Sequence, residues 1–149
     1  MPPENNVVPG PGGHRRTSTF ELRVRYSETD RMGIVYHAHY LVWCEAGRTE
    51  LMRQAGYPYA RLEEEGFLLA VSDATLRFHA SARYDDRIVV ETTVARVRSR
   101  TVEFDYLVLN AASRQKLVSA STTLVCLGPA GNVIALPNAI RSLLEGYLP

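Results

Sequence analysis

The chain has 149 residues, 46% hydrophobic and 22% charged, the make-up of one soluble globular domain large enough to bury a core. Seventeen basic against sixteen acidic side chains leave a formal charge of +1, too weak a field to hold a nucleic-acid backbone by counterion release. No apolar run approaches the roughly 18 residues of a membrane span, and Cys44 and Cys126 form neither a CxxC pair nor a disulfide ladder, which fits a reducing cytosol.

The first stretch, MPPENNVVPGPGGHRR, is rich in Pro, Gly and Asn and lacks the apolar centre of a secretory signal. Residues 1–17 are therefore expected to form a disordered tail before a single domain over 18–149. Phe20 to Tyr26 alternates apolar Phe20, Leu22, Val24 and Tyr26 with Glu21, Arg23 and Arg25, the period of a half-buried strand. The connection SETDRMGIVYHAHY (Ser27 to Tyr40) leads to a helix starting near His37 or Ala38. Tyr40, Trp43, Cys44, Gly47 and Leu51 then repeat at helical spacing as an apolar stripe, ended by Gly56 and Pro58. A glycine on the buried stripe predicts that another backbone comes close at Gly47.

Pro58 to Glu65 reads as a short second helix stopped by Gly66. Four strands rich in Val, Leu, Thr, Phe and Tyr follow: FLLAVSDATLRFHA, RIVVETTVARV, TVEFDYLVL and KLVSASTTLVCL. The breaks SARYDD, RSR, NAASRQ and GPAGN are short, so the strands are expected to be antiparallel neighbours. A tail helix is expected from Pro137 to Glu145. One strand, one long helix and four strands imply an α+β fold whose antiparallel sheet is best arranged by wrapping the helix, an element order that an elongated cystatin-like or cone-shaped α+β fold shares. Apolar side chains on both faces, as at Ile88, Val89 and Val90, predict that a dimer or larger assembly partly covers the outer face.

The Ser27–Tyr40 connection carries the chemistry-bearing residues. Asp30 precedes Gly33 in a sharp turn, and His37 stands at the helix mouth. A helix start offers unpaired N–H groups and a positive dipole end, which polarise a carbonyl as charge develops on it. A carboxylate just upstream can attack that carbonyl carbon or activate a water. The same residues also suit a turn with a polar rim, and spacing alone leaves both readings open. His37 and His39 point apart on a helix and no cysteine joins them, so no metal site is expected.

YSETDRMGIVYHAHYLVWCEAGRTELMRQAG closely resembles the hotdog-fold acyl-CoA thioesterases of the 4-hydroxybenzoyl-CoA thioesterase type. It is nearest the bacterial branch with the signature Y-x-x-T-D-x-x-G-x-V-Y-H-x-x-Y. The resemblance runs from about Phe20 to about Leu127, and Arg83 to Asp86 (RYDD) matches the family's loop before its next strand. It implies a hotdog fold, acyl-CoA as substrate, a homodimer or homotetramer, a cytoplasmic location and no cofactor. Asp30 matches the family's nucleophile or general base, and His37 the histidine at the helix start, whose backbone N–H is the expected carbonyl-polarising donor. Tyr26 matches an aromatic position that lines the site. Arg98, Ser99 and Arg100 fall where relatives hold the phosphates of coenzyme A, often across the subunit boundary. His39 stands where an asparagine is common. Rival readings are a hotdog dehydratase or hydratase, whose histidine and acid come in another order, and a non-catalytic acyl-CoA binder.

Overall fold

The computed structural model describes residues 16–149. The tail expected over residues 1–17 lies, as far as residue 15, outside the described residues; at its end, the Arg16 guanidinium sits 5.1 Å from the Tyr147 ring. In chain order the elements are β1 (Ser18–Arg23), α1 (His39–Gln54), α2 (Tyr59–Glu64), β2 (Leu68–Phe78), β3 (Arg87–Val97), β4 (Thr101–Asn110), β5 (Lys116–Leu127) and α3 (Asn138–Glu145), with a 3₁₀ turn at Tyr26–Glu28. The strands form one sheet in the order β1-β3-β4-β5-β2, with every pairing antiparallel. No helix among the described residues is long and apolar enough to cross a membrane.

The predicted stripe is the helix's core face. Tyr40, Trp43, Cys44 and Leu51 are all buried, and α1 lies across β1, β3 and β4. Gly47 permits this approach. A Cβ there would stand 2.7 Å from Thr92 Oγ1 and 2.8 Å from Val90 Cγ1, so β3 side chains, rather than a second backbone, fill the space. The chain turns out of α1 at Gly56 and out of α2 at Gly66, both with φ near +90°.

Two expectations are corrected. The first strand ends at Arg23 and not at Tyr26, because local bonds replace the ladder: the Glu28 carboxylate accepts the Arg25 N–H at 2.8 Å and Glu28 N–H donates to the Arg25 carbonyl at 3.0 Å. The outer face is also less apolar than the run Ile88-Val89-Val90 suggests. Val89 and its cross-strand neighbour Leu109 are buried there, but Glu91, Thr93, Glu103, Asp105 and Ser121 continue it as a polar surface.

The edge strand β2 is left largely uncovered. Val71, Ala74, Leu76 and Phe78 stand opposite the buried Leu124, Thr122, Ala120 and Val118, so they share the inner face. Val71, Ala74 and Phe78 are nonetheless exposed, because α1 packs mainly on β1, β3 and β4 and meets β2 at its Phe78 end through the Tyr40 ring. A bulge between Val71 and Asp73 interrupts the strand, with the Ser72 hydroxyl donating to the Thr123 carbonyl at 3.2 Å.

Candidate active site

The connection between β1 and α1 folds into a small pinned hairpin. Thr29 and Val35 form an isolated bridge, and Ile34 pairs with Arg83 of the loop before β3. Within it, Asp30 N–H donates to the Ile34 carbonyl at 2.8 Å and Gly33 N–H to the Asp30 carbonyl at 3.0 Å. Gly33 takes φ +77°, a conformation that a side chain would strain. The sharp turn read from the sequence is therefore real, and it fixes the backbone of the acid. Asp30 Oδ1 accepts the Met32 N–H at 2.8 Å, while Oδ2 has no hydrogen-bond partner among the described residues.

Asp30 faces a cavity of about 300 Å³ whose lining includes His37, Tyr40, Phe78, His79 and Ser81. His37 and Phe78 meet edge to face, with ring centroids 6.5 Å apart, and Tyr40 meets the same phenyl ring at 5.8 Å. Ala38, the residue before α1, supplies no side-chain cap; the His39 N–H donates to the Tyr36 carbonyl at 3.0 Å, and Tyr40 brings the first turn of the helix to the cavity wall. The helix begins at His39, one or two residues later than expected, which leaves His37 in the turn at its mouth.

Tyr40 was legible only as a core residue, yet it has a second role. Its hydroxyl accepts the Ala82 N–H at 3.0 Å, joining α1 to the loop that carries Ser81. Burial pushes its pKa up, the Ala82 hydrogen bond works against that, and the nearby Asp86 and Asp30 carboxylates raise it further. Glu28 was missed altogether. It is 3% exposed, and its Oε2 accepts the Trp43 indole N–H at 2.7 Å. Burial alone would raise the pKa of this carboxyl, but the Arg25 N–H, the Trp43 indole and the Arg25 guanidinium together hold it below its ordinary range. Glu28 thus ties the start of the Asp30 hairpin to the buried face of α1. An acid two residues before the motif's aspartate gives no periodic signal of this.

The remaining expected residues lie elsewhere in the single chain. Tyr26 is 77% exposed rather than half buried, and it packs edge to face on Tyr84 at 5.6 Å instead of lining the cavity. Arg98, Ser99 and Arg100 form the exposed β3–β4 turn, where the Ser99 and Arg100 carbonyls accept N–H groups of Leu136 and Cys126. Arg98, together with Arg96, lines a separate polar cavity of about 330 Å³. This turn sits beside Val125, whereas Phe78 pairs with Val118, so the two ends are separated by roughly 24 Å of β5 at ~3.4 Å per residue. Cys44 is inert in this setting: burial pushes its thiol up to about 12, with Arg48 only partly opposing the rise. Among the described residues no three His, Cys, Asp or Glu side chains gather as a metal site.

Comparison with known proteins agrees with this architecture. Residues 24–144 match the model of the thioesterase-like superfamily. The chain is 36% identical over 107 residues to a putative acyl-CoA thioesterase, YneP, of Bacillus subtilis, covering 72% of this chain and 77% of the relative. It is 32% identical over 108 residues to the acyl-CoA thioester hydrolase YbgC of Escherichia coli, covering 72% and 80% respectively. Among solved structures, the DHNA-CoA thioesterase of Staphylococcus aureus superposes with a TM-score of 0.81 at 28% identity, over 88% of each chain. With a sheet wrapped on one helix and an acid at that helix's mouth, the chain belongs to the hotdog-fold thioesterase-like superfamily.

Proposed function

We propose that the protein is an acyl-CoA thioesterase that hydrolyses its substrate to a carboxylic acid and coenzyme A, with Asp30 as the working acid. The observation that carries this reading is the geometry of Asp30: one carboxylate oxygen is held by Met32, and the other is unpartnered beside a cavity walled by His37 and the first turn of α1. A thioester carbonyl laid against that turn develops negative charge facing backbone N–H groups and the positive end of the helix dipole. His37 adds a donor at the same mouth. Asp30 then either attacks the carbonyl carbon, giving an anhydride that water opens, or takes a proton from the water that attacks. By either route the C–S bond breaks and one water is consumed: its oxygen adds to the acyl carbon directly, or opens the anhydride at one of its two carbonyl carbons, and the thiol leaves with a proton. A thiol pKa near ~8.5 makes that leaving group good enough without a metal.

Tyr26 and the Arg98–Ser99–Arg100 turn enter through the family resemblance, as residues that place the substrate and hold the coenzyme A phosphates. Their position supports a site shared between subunits. An edge strand with its apolar row uncovered suits pairing with a second copy. A two-fold antiparallel pairing of β2 with itself would lay the Leu68 end of one copy beside the Phe78 end of the other. The arginine turn of one subunit would then approach the Asp30 cavity of its partner. A homodimer is accordingly the proposed working unit, with a tetramer of paired dimers as its larger form. The two free, buried thiols suit a cytoplasmic location.

The test is thiol release from a panel of short aliphatic, long aliphatic and aromatic acyl-CoAs, with wild type beside Asp30→Asn. Removing the acid should leave folding intact and lower kcat by about 100- to 10,000-fold. Near-normal turnover in the variant would refute the role of Asp30. Absence of thiol release from every substrate, with binding intact, would favour a non-catalytic binder.

A further inference from the structure

The inner face of the sheet holds a buried charge for which the reaction above has no use. Arg48 follows Cys44 by one turn of α1 and is 7% exposed. Its Nε donates to the Tyr59 hydroxyl and its Nη1 to the Tyr106 hydroxyl, both at 3.1 Å, and the Tyr106 hydroxyl lies 2.6 Å from Thr122 Oγ1. All of these partners are neutral. Among the described residues no carboxylate comes within ion-pair distance of Arg48. A guanidinium withdrawn from water without a counter-charge is costly, so its retention calls for a reason.

The third nitrogen supplies one. Nη2 makes no hydrogen bond to a described residue, yet the only sealed-off side-chain polar atom without a partner among those residues is Thr92 Oγ1. The free edge of the guanidinium therefore touches accessible space. Its cluster partner Thr122 stands directly opposite Ala74 on β2, and Ala74 is exposed. Ala74, Leu76 and Phe78 form one apolar row on that face, and Phe78 lines the cavity of Asp30. From Phe78 to Ala74 the row covers four residues, or about 13 Å. An acyl group entering from the reacting end and following this row would bring its far end to the Arg48 cluster.

We propose that Arg48, oriented by Tyr59 and Tyr106, is a specificity residue at the distal end of the acyl site, and that it selects acyl groups carrying a carboxylate about 13 Å from the thioester carbon. This rests on the thioesterase reading. A carboxylate there gains charge-assisted hydrogen bonds from Nη2 and supplies the missing counter-charge. A bare alkyl end of the same length leaves the donor unpaired, and sites built around such donors discriminate strongly against analogues that cannot pair with them.

Two matched pairs of substrates test this with the intact protein: decanoyl-CoA against the coenzyme A monothioester of decanedioic acid, and butanoyl-CoA against the monothioester of butanedioic acid. Wild type should favour the diacid in the long pair by at least about tenfold in kcat/KM. It should show no such preference in the short pair, whose carboxylate stops well before Arg48. Arg48→Met should abolish the long-pair preference while leaving decanoyl-CoA turnover measurable, and Arg48→Lys should retain part of it. A purely structural role for Arg48 would lower both long substrates together and keep their ratio. No long-pair preference in wild type overturns the proposal even if the variants do not fold, as does a preference that survives Arg48→Met. Thiol release without discrimination counts against Arg48 alone, whereas no release from any of the four substrates counts against the thioesterase reading.

Discussion

Replacing Glu28 by Met and Trp43 by Phe, singly and together, isolates the bond that anchors the Asp30 hairpin. Both residues are 3% exposed, and the indole N–H meets the carboxylate at 2.7 Å, so the pair is a buried, charge-assisted hydrogen bond. Bonds of that kind contribute about 1.5–3 kcal/mol. Each single variant also disturbs other contacts: Glu28→Met removes the acceptor for the Arg25 N–H at 2.8 Å, and Trp43→Phe removes apolar area from the stripe. Those side effects cancel in the double-mutant cycle, which leaves the coupling between the two groups. Equilibrium urea denaturation of the four proteins should therefore give a double variant about 1.5–3 kcal/mol less damaged than the sum of the singles. In thermal melts the same coupling corresponds to roughly 4–9 °C for a domain of this size. Additivity within about 0.5 kcal/mol would show that the two groups do not share a bond that matters, and the argument that Glu28 ties the hairpin to α1 would fall.

Two further outcomes follow from the packing and the charges. Gly47→Ala should destabilise the fold by about 1–3 kcal/mol in urea denaturation, less up to ~1 kcal/mol regained from helix propensity, because the new methyl meets Val90 and Thr92 below 3 Å; a variant as stable as wild type would show that β3 yields there. On acidification, Glu28 should supply part of the loss of stability. Its folded pKa lies below the ordinary value of 4.5, so its contribution is full above that value and disappears as pH falls through the depressed one. Urea midpoints measured between pH 6 and pH 3 should fall less steeply for Glu28→Gln than for wild type, and parallel curves would remove Glu28 from the account.

The sequence carries the fold well where side chains repeat with a period. The stripe from Tyr40 to Leu51 matches the buried face of α1, because burial on one face imposes that period on the chain, and the β-rich runs over Arg87–Val97 and Lys116–Leu127, set off by short breaks, match the observed strands. The Asp30 turn was equally legible, since Gly33 at φ +77° is a requirement local to four residues. Whether Asp30 does chemistry was not legible from spacing; the resemblance supplied the role, and the fold supplied the cavity.

Periodicity fails where a polar group is buried by distant partners. Glu28 and Arg48 are charged, and any reading by side-chain type places both at the surface. Glu28 is buried because Trp43, fifteen residues later, brings a donor to it across the start of α1. Arg48 is buried because Tyr59 from the next helix and Tyr106 from a strand 58 residues away close over it with hydroxyls. Neither condition leaves a mark in the local sequence. Tyr26 shows the converse. It continues the apolar alternation of Phe20, Leu22 and Val24, but the Glu28 carboxylate takes the Arg25 N–H and ends the ladder before Tyr26 is reached, turning the ring outward against Tyr84. One buried acid, invisible to the pattern, thus sets both where the strand stops and where the hairpin bearing Asp30 begins.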